Sequence, residues 1–245
     1  MQQTLIELGS SQALLLGPKA QKIFLFLHGQ GGNREEAIPF AERATAMGWQ
    51  VLAIDLPGHG SRLQEAAAFT PWDICPEVQA LYAYAQAGWS AIGLRANSIG
   101  AWFAMLALAD APLVQALFVS PVVDMPRLIL RMMGHAGVSL SRLQQEQEIQ
   151  TDSGQTLSWP YFCYAQAHAI HRWQTPTCVL YGAHDSLIPF SEIQKFSTRF
   201  DCCLHTESEC EHWFHTPLQL QQLAKWETEC LQAAQSRIDF GQELL

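Results

Sequence analysis

Residues 92–100 read Ile92-Gly93-Leu94-Arg95-Ala96-Asn97-Ser98-Ile99-Gly100. An apolar run ends here, a small residue (Ala96) permits a sharp bend, Ser98 stands at the bend, and Gly100 opens an apolar helical stretch. Such a turn holds a serine hydroxyl clear of the backbone at the carboxyl end of a sheet, with a helix N-terminus behind it. The spacing therefore presents Ser98 as a nucleophile. The competing reading is that a Ser before a helix serves as its N-cap.

Working outward, strand-like and helix-like segments alternate. The continuous apolar run at 23–27 and the segment at 50–56 read as buried strands, and 90–96, 115–120, 177–181 and 202–206 as further strands. Helical spacing runs through 35–47, 73–88, 99–109 and 217–234. Segments 4–8 and 12–16 suit an antiparallel hairpin at one edge. The pattern predicts an α/β architecture, a doubly wound and mostly parallel sheet with helices on both faces.

Residues 122–175 break this rhythm, because a crossover needs far fewer. Two helical pieces are expected there, at 125–134 and 159–167, with a polar stretch at 141–155 between them. The segment reads as a short helical lid inserted late in the sheet, between core segments 1–121 and 176–245. Its large apolar residues, Met132, Met133 and Trp159 among them, are candidates to line a substrate pocket. A purely peripheral packing role is the alternative.

A serine hydroxyl needs a base within reach, and the base needs an orienting acid. The run at 177–181 leads into Gly182-Ala183-His184-Asp185, and the run at 202–206 leads to Glu211-His212-Trp213. Asp185 as acid and His212 as base then follow Ser98 in chain order. Asp124, after the run at 115–120, is the rival acid, and His215 the rival base. His28-Gly29-Gln30-Gly31-Gly32 follows the first buried strand and exposes backbone N–H groups. The amides of Gln30 and Ile99 are the expected oxyanion donors. A phosphate loop is ruled out, since neither glycine-rich nucleotide pattern is present. The pair His212 and His215 lacks a third ligand cluster, so no metal and no cofactor are expected.

These motifs, with Asp55-Leu56-Pro57-Gly58-His59-Gly60, resemble the α/β-hydrolase superfamily over nearly the whole chain, in particular its cap-bearing esterases, lipases and serine aminopeptidase-like branch. Ala96 departs from the glycine usual at that position of the elbow. The resemblance implies the α/β-hydrolase fold, the catalytic order Ser98, Asp185, His212, and a scaffold role for His59. It does not choose a substrate.

Composition narrows the function classes. The 245 residues are 49% hydrophobic and 15% charged, enough for one sizeable core. A net charge of -9 argues against nucleic acid or an anionic membrane as partner. No signal-like start is visible, and seven scattered cysteines suit a reducing cytoplasm better than a disulfide framework. The expectation is a serine esterase acting on a small, fairly apolar ester or thioester. An amidase or aminopeptidase of the same fold is the alternative, with Glu146, Glu148 and Asp152 as the acids that would hold an amine. A non-catalytic ligand-binding member is the third reading, and a homodimer stays open.

Overall fold

In the computed structural model, residues 1–9, 11–152 and 154–242 are described, the side chains of 236–242 excepted. Four runs are buried almost end to end: β3 (Lys22–Leu27), β4 (Trp49–Ile54), β6 (Gln115–Val119) and β9 (Thr177–Gly182). Between them lies β5 (Ala91–Asn97), which carries Ser98 at its end. Strands apolar on both faces need helices on both sides, which is what a parallel sheet supplies. The edge elements differ. β1 (Gln3–Leu8) and β2 (Ser11–Leu16) form an antiparallel hairpin, and β10 (Cys203–Glu207) is largely exposed. The eight strands run in the order β1-β2-β4-β3-β5-β6-β9-β10, with every pair from β4 to β10 parallel.

One face of the sheet packs α1 (Ala37–Ala46) and α8 (Pro217–Gln242). Phe24, Phe40 and Trp49 meet there, with ring centroids of Phe24 and Trp49 4.6 Å apart. The other face packs α2 (Pro71–Gly88) and α3 (Ile99–Ala107), with Trp102 and Phe103 fully buried. Each such side chain contributes about 1.5–3 kcal/mol on leaving water.

The insertion contains α4 (Met125–His135), α5 (Leu140–Glu146), the short strands β7 (Glu148–Gln150) and β8 (Thr156–Ser158), and α6 (Trp159–Ala167). The polar stretch at 141–155 therefore holds most of a helix and the first strand of an antiparallel hairpin, whose second strand follows at Thr156–Ser158. Leu143, Ile149 and Leu157 turn inward and are buried, while Leu140 is exposed. α7 (Phe190–Arg199) forms the crossover between β9 and β10. Arg131 of α4 donates to Glu192 of α7 at 2.6 Å, tying the insertion to the core. Among the described residues, no helix is long and apolar enough to cross a membrane.

Candidate active site

The bend after β5 is built by close approach. A Cβ on Gly100 would lie 2.4 Å from the His28 carbonyl oxygen, so only glycine lets α3 press against the end of β3. Ser98 itself sits at φ 46° and ψ -118°, a region that disfavours non-glycine residues. Its N–H donates to Val119 O (3.0 Å) and its carbonyl accepts from Val122 N (3.1 Å), which hold it there. It makes no side-chain cap to α3. The hydroxyl is turned toward the loop that follows β10.

There Ser98 Oγ meets His212 Nε2 at 2.8 Å, and His212 Nδ1 meets Asp185 Oδ2 at 2.7 Å. A carboxylate only accepts, so Nδ1 carries the imidazole proton and Nε2 is left to accept from the serine. The Asp185 side chain has no solvent exposure, and its other oxygen accepts from Leu187 N and Ile188 N at 2.8 Å each. Both oxygens are thus fixed. The two loops are zipped together by Ala183 N donating to Glu207 O and His184 N donating to Cys210 O. Gly182 permits this, since a Cβ there would lie 2.4 Å from the carbonyl oxygens of Cys210 and Glu211.

The rivals lie elsewhere. Asp124 caps α4 by accepting from Arg127 N (3.1 Å). His215 is exposed, stacked on Trp213, with Nδ1 on the Trp213 carbonyl. His28 is buried, accepts from Leu56 N through Nε2 and holds Gly29 O through Nδ1. Burial lowers its pKa to about 4, against the opposing pull of the Gly29 carbonyl. His59 packs between His28 and Phe69 and bonds the Pro57 carbonyl, a scaffold position.

A cavity of about 1370 Å³ opens onto Ser98 and His212, and Gln30 and Ile99 both border it. The Gln30 side chain donates to Gln155 of the β7–β8 hairpin at 3.0 Å, so the insertion reaches over the glycine-rich turn. Toward the insertion the walls are apolar: Met125, Leu128, Ile129, Met132 and Leu157. Two of the expected pocket residues require correction. Met133 is 3% exposed and faces the core, and Trp159 packs on Phe162; neither borders the cavity. Successive helical positions are rotated by about 100°, and that step carries Met133 from the cavity edge, which Met132 borders, into the core. Of the acids weighed for an amine, Glu148 borders the cavity, Glu146 is paired with Arg142, and Asp152 is exposed.

The other end of the cavity is charged, which sequence reasoning missed. Arg95 of β5 donates to Glu227 of α8 at 2.9 Å, and Arg43 of α1 donates to the second oxygen of the same carboxylate at 3.0 Å. Arg95 and Glu227 side chains are each 2% exposed. The available signal was Arg95 itself, a charge inside an otherwise apolar strand, which requires a buried partner.

No protein-family model matches the chain, and no curated protein matches it in sequence. Solved structures do match. Est1E of Butyrivibrio proteoclasticus with ferulic acid bound is 20% identical, TM-score 0.79, over 95% of this chain and 99% of that one. The mouse alpha/beta hydrolase domain-containing protein 10 is 16% identical, TM-score 0.75, over 95% and 99%. The Pyrococcus furiosus esterase Pf2001 is 17% identical, TM-score 0.66, over 95% and 89%. The fold is the α/β-hydrolase fold.

Proposed function

We propose that the protein is a serine hydrolase that cleaves a carboxylic ester through an acyl-enzyme. Ser98 Oγ attacks the carbonyl carbon while His212 Nε2 takes its proton and passes it to the leaving alcohol. Asp185 holds the imidazole tautomer and offsets the charge that develops on the ring. The Gln30 and Ile99 amides stabilise the oxyanion. Water, activated by His212, then releases the acid. The observation that carries this reading is the unbroken relay Ser98 Oγ, His212 Nε2, His212 Nδ1, Asp185 Oδ2, at 2.8 and 2.7 Å, beside a large cavity. The apolar wall around Met132 and Leu157 favours an apolar acyl group. Neighbours of the same fold that are described as esterases support the same reaction class.

The test is labelling by an alkyl fluorophosphonate alongside hydrolysis of p-nitrophenyl esters, acyl thioesters and aminoacyl arylamides. Labelling at Ser98 with ester or thioester turnover supports the proposal. Intact, folded protein that neither labels nor turns over returns the site to ligand binding. Glu148 at the cavity border is the observation that favours an aminopeptidase instead. Turnover confined to arylamides with a free amine would select that reading.

A further inference from the structure

The cavity is larger than the roughly 300–1,000 Å³ that one compact ligand fills. Its two ends differ in chemistry. One lies under the insertion and is apolar. The other runs between α1 and α8, where Arg43, Arg95 and Glu227 border it together with Glu36 and Asn97.

Glu227 spends both carboxylate oxygens, one on each arginine. Arg95 Nη1 is held by Ala96 O (3.1 Å) and Asn97 Oδ1 (2.6 Å). Among the described residues, Arg95 Nη2 and Arg43 Nη1 have no hydrogen-bond acceptor. Both guanidinium groups border the cavity, and Arg95 is 98% withdrawn from solvent. The two pre-oriented guanidinium groups share the Glu227 carboxylate, and each keeps an N–H donor without an acceptor at the cavity. Glu36 is the nearby acid, hydrogen-bonded to Asn97. Burial raises its pKa against the pull of Arg95 and Asn97.

We propose that the charged end of the cavity binds a carboxylate of the substrate through Arg43 and Arg95. The inference rests on the serine-hydrolase reading and narrows it. The substrate is an ester with an apolar portion on one side of the scissile bond and a free carboxylate on the other side or beyond it. The carboxylate is only held. The acyl C–O bond breaks, water supplies OH to the acyl group, and the proton goes to the alcohol.

The experiment compares monomethyl and dimethyl esters of straight-chain dicarboxylic acids, from succinate to azelate. At least one monomethyl ester is expected to show kcat/KM about tenfold above its dimethyl counterpart, as a charge-assisted hydrogen bond supplies. Arg43→Gln should reduce that ratio to near one, and Arg43→Lys should retain part of it. A purely structural cluster would lower all rates together and leave the ratio alone. No monoester preference at any length in the wild-type protein overturns the proposal, whether or not the variants fold. So does a ratio that survives Arg43→Gln in folded protein. If Ser98 takes no phosphonate and no ester is cleaved, the hydrolase reading fails separately. Calorimetric binding of the same ester pairs then decides: tighter monoester binding supports the carboxylate site, and equal binding overturns it.

Discussion

At the scale of single residues, the site is a matter of which proton sits where. Ser98→Ala should cut ester turnover about a thousandfold or more with the fold intact, because the covalent bond is lost. His212→Ala should match it, while His215→Ala retains most activity; equal losses would reopen the identity of the base. Asp185→Asn should cost about 10⁴-fold by reversing the favoured tautomer, and Asp124→Asn little. The reverse ranking would place the acid on the earlier strand. His28 gives a pH signature. Its unfolded pKa lies near 6.5 and its folded value is lowered to about 4. Between these values the unfolded chain binds the extra proton, so stability is complete above about pH 6.5 and falls as the pH drops toward 4. This linkage amounts to about 3 kcal/mol. NMR should show the His28 ring neutral down to about pH 4; titration near 6.5 would refute the burial argument.

Among elements, α4 separates packing from selectivity. Met132 borders the cavity and Met133 is core. Met132→Ala should shift the preference between short and medium acyl esters, at about 1–3 kcal/mol per methylene, with a small change in melting temperature. Met133→Ala should destabilise by about 2–5 kcal/mol and leave the acyl profile unchanged. Matching profiles for both variants would remove α4 from substrate selection. The same contrast explains what could be read in advance. β3, β4, β5, β6 and β9 announce themselves because a strand buried on both faces is a continuous apolar run. The turns carrying Ser98, Asp185 and His212 are local and keep their order. The hairpin β7–β8 escaped because three residues per strand leave no alternation to see. α7 was overlooked although Phe190, Ile193 and Phe196 recur at helical spacing. The two salt bridges of the charged cluster span 132 and 184 positions, and no local pattern records a pairing set by the fold.

For the whole molecule, Glu227 is a point where distant parts depend on one another. It joins α8 to β5 in the centre of the sheet and to α1 on the same face. Glu227→Gln leaves the buried Arg95 and the half-buried Arg43 without their shared counter-charge and should cost about 3–5 kcal/mol. A triple replacement, Arg43→Met with Arg95→Met and Glu227→Leu, should be far milder, because packed apolar groups need no counter-charge. Urea titration ranks the two. If the single substitution proved the gentler, the cluster would not be a net electrostatic dependency. No disulfide offers a covalent substitute, since all seven cysteines are free thiols.

The backbone at Ser98 sets two selective pressures against each other. A serine at φ 46° carries strain of about 1–3 kcal/mol, which glycine would relieve at a smaller entropic cost of its own. Ser98→Gly should therefore melt at or above the wild-type temperature while performing no chemistry; a clear fall in melting temperature would contradict this. A population of variants sorted only for heat tolerance would tend to discard the proposed nucleophile. Only sorting for turnover would keep it.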